Sequence, residues 1–164
     1  MNTVTHALLP LVVAGLCERS WRLPNERKGY FSRGDLIAIA IAGAAPDLLN
    51  PHLSLAARLS SYSHTIWAVL VFGIMVLVFL KRRKHLTWRL YALLVGAYGV
   101  HLLCDLVAGG IAPFYPFMRY TVYGDYWVSP IWWVPTDAVL VLGCYFLFRA
   151  IPQLRKTTKL YAEN

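Results

Sequence analysis

Charged residues are scarce in this chain, and acidic ones are the scarcest. Only 15% of the 164 residues are charged, with 8 Asp and Glu against 16 Lys and Arg, whereas 58% are hydrophobic. Soluble domains carry about a quarter charged residues. The composition therefore excludes an ordinary soluble domain and predicts a polytopic membrane protein. In such a protein the net charge of +8 reflects basic loops that meet anionic lipid headgroups, so we expect no nucleic-acid partner.

Sequence motifs of several common chemistries are absent as well. The three cysteines lie in apolar stretches without C-x-x-C spacing, so they are packing residues from which no redox compartment follows. Because there is no serine-nucleophile motif and no P-loop, we expect neither acyl-enzyme nor ATP-driven chemistry. The N-terminus has neither a basic n-region nor an A-x-A site, and we expect no cleavable signal peptide. No repeat or linker divides residues 1–164, which predicts a single domain.

Long apolar runs predict an all-α fold, a membrane bundle of about five short transmembrane helices. A helix that crosses a bilayer needs about 20 residues, so the first two runs and the last are short. Short spans fit a small tilt, a thinned bilayer, or a bundle partly sunk into one leaflet. The runs are Val4–Leu16, Leu36–Leu49, Thr65–Leu80, Leu90–Ala108 and Val134–Phe148.

Basic residues in the segments between these runs predict the orientation. Glu18–Asp35, Lys81–Arg89 and the C-terminal tail together carry 14 Lys and Arg. The two alternate loops carry one each, Arg58 and Arg119. Cytoplasmic loops are the basic ones in membrane proteins. We therefore expect a multi-pass inner-membrane protein with its N-terminus outside and its C-terminus in the cytoplasm.

Six ionisable residues lie within or at the ends of the apolar runs. A titratable group at membrane depth is costly, and by default it marks a functional site. With the predicted orientation all six fall in the outer half of the bundle. Imidazole nitrogens and carboxylate oxygens are ligands of zinc, manganese or iron, which predicts one divalent-metal site there. The six residues are His6, Asp47, His64, His101, Asp105 and Asp137.

Simpler interpretations exist for some of the six. His6 fits an ordinary interfacial histidine near a chain end, and Asp47 fits a turn residue at a helix end. Asp137 could serve only at a helix N-terminus, where a carboxylate interacts favourably with the helix dipole. His101 and Asp105 are harder to explain in this way, because residues four apart share one helix face.

Short motifs around these residues follow one another along most of the chain. They are V-T-H at Val4–His6, A-P-D at Ala45–Asp47, S-H-T at Ser63–Thr65, H-L-L-C-D at His101–Asp105, and the stretch that ends at Val134–Asp137. In this order they resemble the YdjM-like family of membrane-bound, metal-dependent hydrolases. The resemblance implies a distant relation to zinc-dependent phospholipases C and single-strand nucleases. It also implies a ligand set, which is His6, Asp47, His64, His101 and Asp105, with Asp137 added in this subtype.

Two departures from the family pattern reduce the expected site. The family's P-D-x-D-H reads P-D-L-L-N here, with Leu49 and Asn50 at the later positions. The family's H-R-x-x-T-H-S reads L-S-S-Y-S-H-T from Leu59 onward, so its first His and Arg are missing. We therefore expect one or two metal ions, with zinc as the expected element, and a site that either keeps or has lost catalysis.

A metal ion with such ligands lowers the pKa of a bound water to about 7, so that hydroxide is available as a nucleophile. We assign to Asp137 the role of general base, or of orienting a ligand histidine. Arg119 is expected to clamp a substrate phosphate through its planar guanidinium. It lies in the aromatic-rich loop Gly109–Trp133, which either frames the substrate or forms an aromatic belt at headgroup level.

These observations predict a metal-dependent hydrolase of phosphoesterase or phospholipase type. Its substrate would be a membrane lipid or lipid-linked molecule with a phosphoester or related bond, cleaved at the outer leaflet. Two alternatives stay open: a metal or proton transporter, since intramembrane His and Asp also form ion pathways, and a non-catalytic protein with a structural metal. The apolar inner halves of the predicted spans favour the enzyme over the transporter.

Overall fold

The observed fold is a helical bundle, described by a computed structural model. The described residues are 3–21, 31–51, 55–83, 87–118, 120–122, 130–150 and 152. Within them the α-helices are α1 (Thr3–Trp21), α2 (Arg33–Leu49), α3 (Leu55–Leu59), α4 (Ile66–Arg82), α5 (Trp88–Val107) and α6 (Trp133–Tyr145). Turns of 3-10 helix precede α4 and α6 at Tyr62–His64 and Pro130–Trp132, and a π-helical turn, Phe146–Ala150, extends α6.

The all-helical prediction is confirmed, and each of the five apolar runs coincides with a long helix. Polar caps set several of the starts. Ser32 accepts a hydrogen bond from the backbone N–H of Asp35, whose carboxylate accepts one in return, a capping box that begins α2. The hydroxyls of Thr65 and Thr87 cap α4 and α5 by accepting hydrogen bonds from the backbone N–H groups of Ala68 and Leu90. The short α3 has no apolar run of its own and was not predicted.

Helix α1 packs against α2, α5 and α6, and α5 packs against α1, α2 and α4. The contact between α1 and α2 depends on Gly43. A Cβ atom at this position would overlap the carbonyl oxygen of His6 and lie 2.9 Å from Pro10 Cγ. Only glycine lets the two backbones approach so closely, which is how small residues work in membrane helix pairs.

The distribution of polarity is inverted relative to a soluble protein. Large apolar side chains cover the outside of α2, α4 and α6, whereas ionisable and hydroxyl side chains fill part of the interior. The exposed residues include Ile37, Ile41, Leu70, Val71, Ile74, Met75, Phe79, Val139 and Leu142. The buried polar residues include Thr5, His6, Arg58, Ser61, Ser63, His64, His101 and Asp105. An apolar exterior of this extent requires a lipid or protein environment.

Among the described helices, α5 alone is both long enough and apolar enough to be a candidate membrane span, and the apolar part of α1, Thr3–Glu18, is shorter. The expected set of about five spans therefore stays a prediction. So does the orientation derived from the basic loops.

Among the described residues, most of the buried polar side chains lie at one end of the bundle. At the opposite end, apolar residues of α1, α2, α4 and α5 form a core cluster, which includes Ala14, Ile39, Ala42, Leu80, Leu90 and Leu94. At the polar end, α5 stops where Gly109 and Gly110 both adopt positive φ angles, 147° and 143°. This backbone conformation suits glycine, and it returns the chain so that Gly110 N–H donates to the carbonyl oxygen of Asp105.

Candidate metal centre

Four side chains from three separate elements converge at the polar end. Asp47 comes from the last turn of α2, His64 from the 3-10 turn before α4, and His101 and Asp105 from consecutive turns of α5. One ligand atom of each lies within 4.8 Å of those of the other three. Three of these side chains are at most 2% exposed, and Asp47 is 17% exposed. This cluster of two imidazoles and two carboxylates could hold a metal ion.

Distances between the ligand atoms match the dimensions of a zinc site. Asp105 Oδ2 is 3.2 Å from His64 Nε2 and 3.3 Å from His101 Nε2, and the two Nε2 atoms are 3.2 Å apart. Asp47 Oδ1 is 3.5 Å from each Nε2 atom. Ligands about 2.0–2.2 Å from a tetrahedral zinc ion are about 3.3–3.6 Å apart. These five distances are compatible with a single ion of this size between the four side chains.

The outer ring nitrogens of both histidines have partners that leave the Nε2 atoms facing the cluster. His101 Nδ1 lies 2.8 Å from the carbonyl oxygen of Gly43, and since a carbonyl only accepts, Nδ1 carries the proton. The Nε2 lone pair of a neutral His101 is then available to a metal. His64 Nδ1 lies 3.0 Å from the hydroxyls of both Ser61 and Ser63. Such second contacts fix the rings of metal-binding histidines.

Electrostatics at His64 favour a positive charge. Burial lowers the pKa of His64, but hydrogen bonds and charge interactions with Asp105 and Asp47 outweigh it and raise the pKa above its ordinary value. The same two carboxylates that attract a proton to this ring attract a metal cation. Proton and metal therefore compete for this position.

Asp105 is the most constrained member of the cluster. Its Oδ1 accepts a hydrogen bond of 2.7 Å from Arg58 Nη1, a buried ion pair. Its Oδ2 is buried, forms no well-oriented hydrogen bond among the described residues, and lies 3.2 and 3.3 Å from the Nε2 atoms of His64 and His101. A buried carboxylate oxygen is rarely left without a partner. Its position beside two imidazole nitrogens suits a metal ligand, so Oδ2 could coordinate an ion held by this cluster.

The first turn of α1 borders the cluster. The His6 ring stacks on His101 with the ring centres 3.8 Å apart, and its Nε2 is 3.4 Å from Asp105 Oδ1. The Thr3 hydroxyl donates to Asp47 Oδ2 at 2.8 Å, and the Thr5 hydroxyl donates to Asp137 Oδ1. His6 thus contacts a ligand directly, whereas Asp137 is connected through Thr5. The ligand roles of His6 and Asp137 stay predictions.

The other sequence-predicted residues divide into two groups. Arg119 lies outside the described residues, as do residues 123–129 of the aromatic loop. Asn50, at a diverged family position, donates from Nδ2 to the Ser61 hydroxyl at 2.8 Å and so joins the hydrogen bonds around His64. Leu49, at the other diverged position, is exposed.

Sequence reasoning missed the role of Arg58. In the sequence Arg58 is only the single basic residue of its loop, and the family pattern has its arginine two residues later. The structure nevertheless brings the Arg58 guanidinium onto Asp105 from the short helix α3. The sequence does contain a signal for this role. Arg58 is the single basic residue of a loop that is otherwise without Lys or Arg, which indicates a specific acidic partner.

Comparison with known families agrees with the inverted polarity of the bundle. The model of the YdjM inner membrane protein family matches residues 1–161. The chain belongs to this family. Neither the curated proteins nor the solved structures gave a match. The family description names the inner membrane as the location of the YdjM proteins and names no activity. Any argument for a catalytic function must therefore come from the geometry of the metal centre.

Proposed function

We propose that the protein is a membrane-embedded, metal-dependent hydrolase that cleaves a phosphoester or related bond of a lipid-like substrate. The observation that carries this proposal is the convergence of Asp105 Oδ2 with the Nε2 atoms of His64 and His101, at distances of 3.2 and 3.3 Å. Two imidazoles and one carboxylate are a ligand set that catalytic zinc sites use. The apolar exterior of the bundle and its membership of an inner-membrane family support a substrate that resides in the bilayer.

Different residues of the cluster take different roles in this proposal. His64, His101 and Asp105, the three most buried, hold the ion. A divalent ion at this position supplies a Lewis acid and makes hydroxide available near neutral pH. Asp47 is the one member with appreciable exposure, and Thr3 fixes its Oδ2. Its Oδ1 lies 3.5 Å from the Nε2 atoms of both histidines, so Asp47 would serve either as a fourth ligand or, in this proposal, as the acceptor of a proton from water.

The ion pair of Arg58 with Asp105 supports a centre with one ion. Arg58 donates to Asp105 Oδ1 at 2.7 Å, so a second ion held through that oxygen would have to share it with the guanidinium. Its positive charge offsets one of the two carboxylates. The loss of family ligands at Leu49 and Asn50 agrees with this interpretation. We therefore expect one zinc ion per chain.

Placement in the membrane follows from the loop charges. The basic segments lie in the cytoplasm, and the metal centre lies near the outer surface of the inner membrane. The roles of Asp137 as an additional base and of Arg119 as a phosphate clamp belong to the same proposal. Asp137 reaches the centre through Thr5 and α1.

The alternative functions differ in what the rest of the interior must provide. A transporter needs polar groups that continue across the bundle, but apolar side chains fill the core cluster at the other end. Glu18 is a buried acidic residue at that end of α1. It lies twelve residues from His6, which is about 18 Å along the helix axis, so it is not adjacent to the polar cluster. A structural metal would have all four cluster residues as ligands, since structural zinc sites are closed.

Metal content and turnover, measured on the same variants, test the proposal. The full chain is purified in detergent, its zinc content is determined by mass spectrometry, and hydrolysis of phospholipids and polyprenyl phosphates is assayed. We expect His101→Ala and Asp105→Asn to lose both zinc and turnover. Asp47→Asn should keep the zinc and lose turnover. Asp35→Asn is the matched control, because Asp35 caps the opposite end of the same helix.

Each alternative gives a different result. If Asp47→Asn loses zinc as completely as Asp105→Asn and the wild type hydrolyses nothing, the centre is structural. If the wild type moves zinc or protons across liposomes without hydrolysis, the protein is a transporter. Either result would overturn the hydrolase.

A further inference from the structure

An apolar groove runs along α4 beside the metal centre. Its volume is about 690 Å³, within the range of about 300–1,000 Å³ that is typical of small-molecule sites. The floor and walls are mostly hydrocarbon, and the lining includes Leu49, Ala68, Val71, Phe72, Met75 and Phe117. Because α4 lies at the periphery of the bundle, the groove opens toward the apolar exterior.

The polar groups of the groove lie at one end. Asn50, Ser63 and Thr65 line it near the start of α4. One side chain separates this end from the metal centre: the Ser63 hydroxyl is 3.0 Å from His64 Nδ1, the ring nitrogen opposite the one that faces the cluster. The carbonyl oxygen of Ser63 accepts a hydrogen bond from Tyr98. Toward Met75 the lining becomes entirely apolar. The groove therefore has the polarity of an amphiphile with its head beside the metal centre.

The length of the groove also fits a chain. From Thr65 to Met75 the lining follows ten residues of α4, which is about 15 Å along the helix axis. A hydrocarbon chain that enters beside the centre can lie along this distance in the direction of the membrane normal. The C-terminal residues 153–164 are a poor occupant, because they carry Arg155, Lys156 and Lys159.

We propose that this groove binds one hydrocarbon chain of a membrane phospholipid and thereby presents the headgroup to the metal centre. Only the role of the headgroup rests on the proposed hydrolase function. The binding of the chain rests on the shape, the polarity gradient and the lipid surroundings of the groove. Substrate selection then depends on chain length: binding strengthens until a chain of about 15 Å fills the groove.

Photolabelling tests the groove without relying on activity. The full chain is reconstituted into vesicles that contain phosphatidylglycerol with a diazirine in one acyl chain, and the labelled residues are mapped by peptide sequencing. We expect labels at Val71, Phe72 and Met75. Val71→Trp should reduce labelling about tenfold, which corresponds to the loss of two buried methylene groups.

The matched control is the neighbouring residue on α4. Leu70 is as exposed as Val71, 55% against 56%, but it does not line the groove. We expect Leu70→Trp to label like the wild type. Equal labelling of both variants, labels spread evenly around α4, or crosslinks between two copies along α4 would overturn the groove as a lipid-chain site.

Failure of the groove and failure of the hydrolase can be told apart. If the groove is labelled selectively in both the wild type and His101→Ala but no lipid is cleaved, the lipid-binding groove is supported and the hydrolase function is overturned. If the wild type cleaves lipid while labelling is even around α4, the enzyme stands and the groove is overturned.

Discussion

At the scale of single residues, one buried carboxylate organises the centre. Asp105 contacts a guanidinium through Oδ1 and two imidazoles through Oδ2. Buried charges are tolerated only when they are paired and hydrogen-bonded. Arg58 supplies one cationic partner, and the geometry on the other side supplies a place for a second.

Replacing Arg58 tests this pairing. Arg58→Met keeps much of the side-chain volume but removes the charge, and breaking a buried pair costs about 3–5 kcal/mol in soluble proteins. We expect a large fall in Tm in the presence of a chelator and a smaller fall with zinc, because the bound cation compensates Asp105. Thermal unfolding in detergent measures both. Arg82→Met, at an exposed position of α4, is the control. Equal losses of Tm with and without zinc would contradict the pairing.

The chemistry of the site was predictable from residue types, but its surroundings were not. His101 and Asp105 could be recognised because a four-residue spacing places them on one helix face. The Gly43 carbonyl that orients His101 comes from 58 positions away in the sequence, and no local pattern encodes such a contact. Arg58 reaches Asp105 over a separation of 47 residues for the same reason.

At the scale of helices, the contact of α1 with α2 determines whether His6 and Thr3 reach the centre. Gly43 permits this contact and also supplies the carbonyl that holds His101. One glycine therefore serves both the packing of two helices and the geometry of a ligand.

The variant Gly43→Ala tests the helix contact. The added methyl group meets the α1 backbone, which cannot move aside cheaply, and overpacking of this kind costs about 1–3 kcal/mol. We expect a lower Tm and weaker zinc binding, because α1 and His101 both shift. Gly96→Ala is the matched control, since a Cβ there meets no atom within 4 Å. Thermal unfolding and zinc titration measure the effects, and identical behaviour of the two variants would exclude the close contact.

The helices themselves were largely predictable, and their starts had clear local causes. Thr65 and Thr87 are caps that precede apolar runs, so α4 and α5 begin where the sequence indicates. The short α3 could not be foreseen, because five residues form no hydrophobic period. Yet α3 carries Arg58 and so completes the centre.

At the scale of the whole molecule, the candidate metal ligands of the described residues lie at one end of the bundle and an apolar core cluster lies at the other. A site closed at one end suits a reaction at a surface better than passage across the membrane. Length and composition alone mark one helix as a span, so the predicted orientation needs a direct test.

Cysteine labelling tests the orientation. In a variant with Cys17, Cys104 and Cys144 replaced by alanine, single cysteines are introduced at Ser60 and Thr87, exposed positions near opposite ends of α4. We expect a membrane-impermeant maleimide added from outside to label Ser60→Cys, and to label Thr87→Cys only after permeabilisation. The reverse pattern would place the metal centre on the cytoplasmic side.

The central claim is that the buried cluster binds a metal ion through imidazole and carboxylate. X-ray absorption at the zinc edge on the purified, zinc-loaded chain tests it most directly. We predict nitrogen and oxygen neighbours at about 2.0–2.2 Å with two imidazole contributions, one of which is lost in His101→Ala. Failure of the wild type to retain zinc, or sulfur neighbours at about 2.3 Å, would contradict the claim.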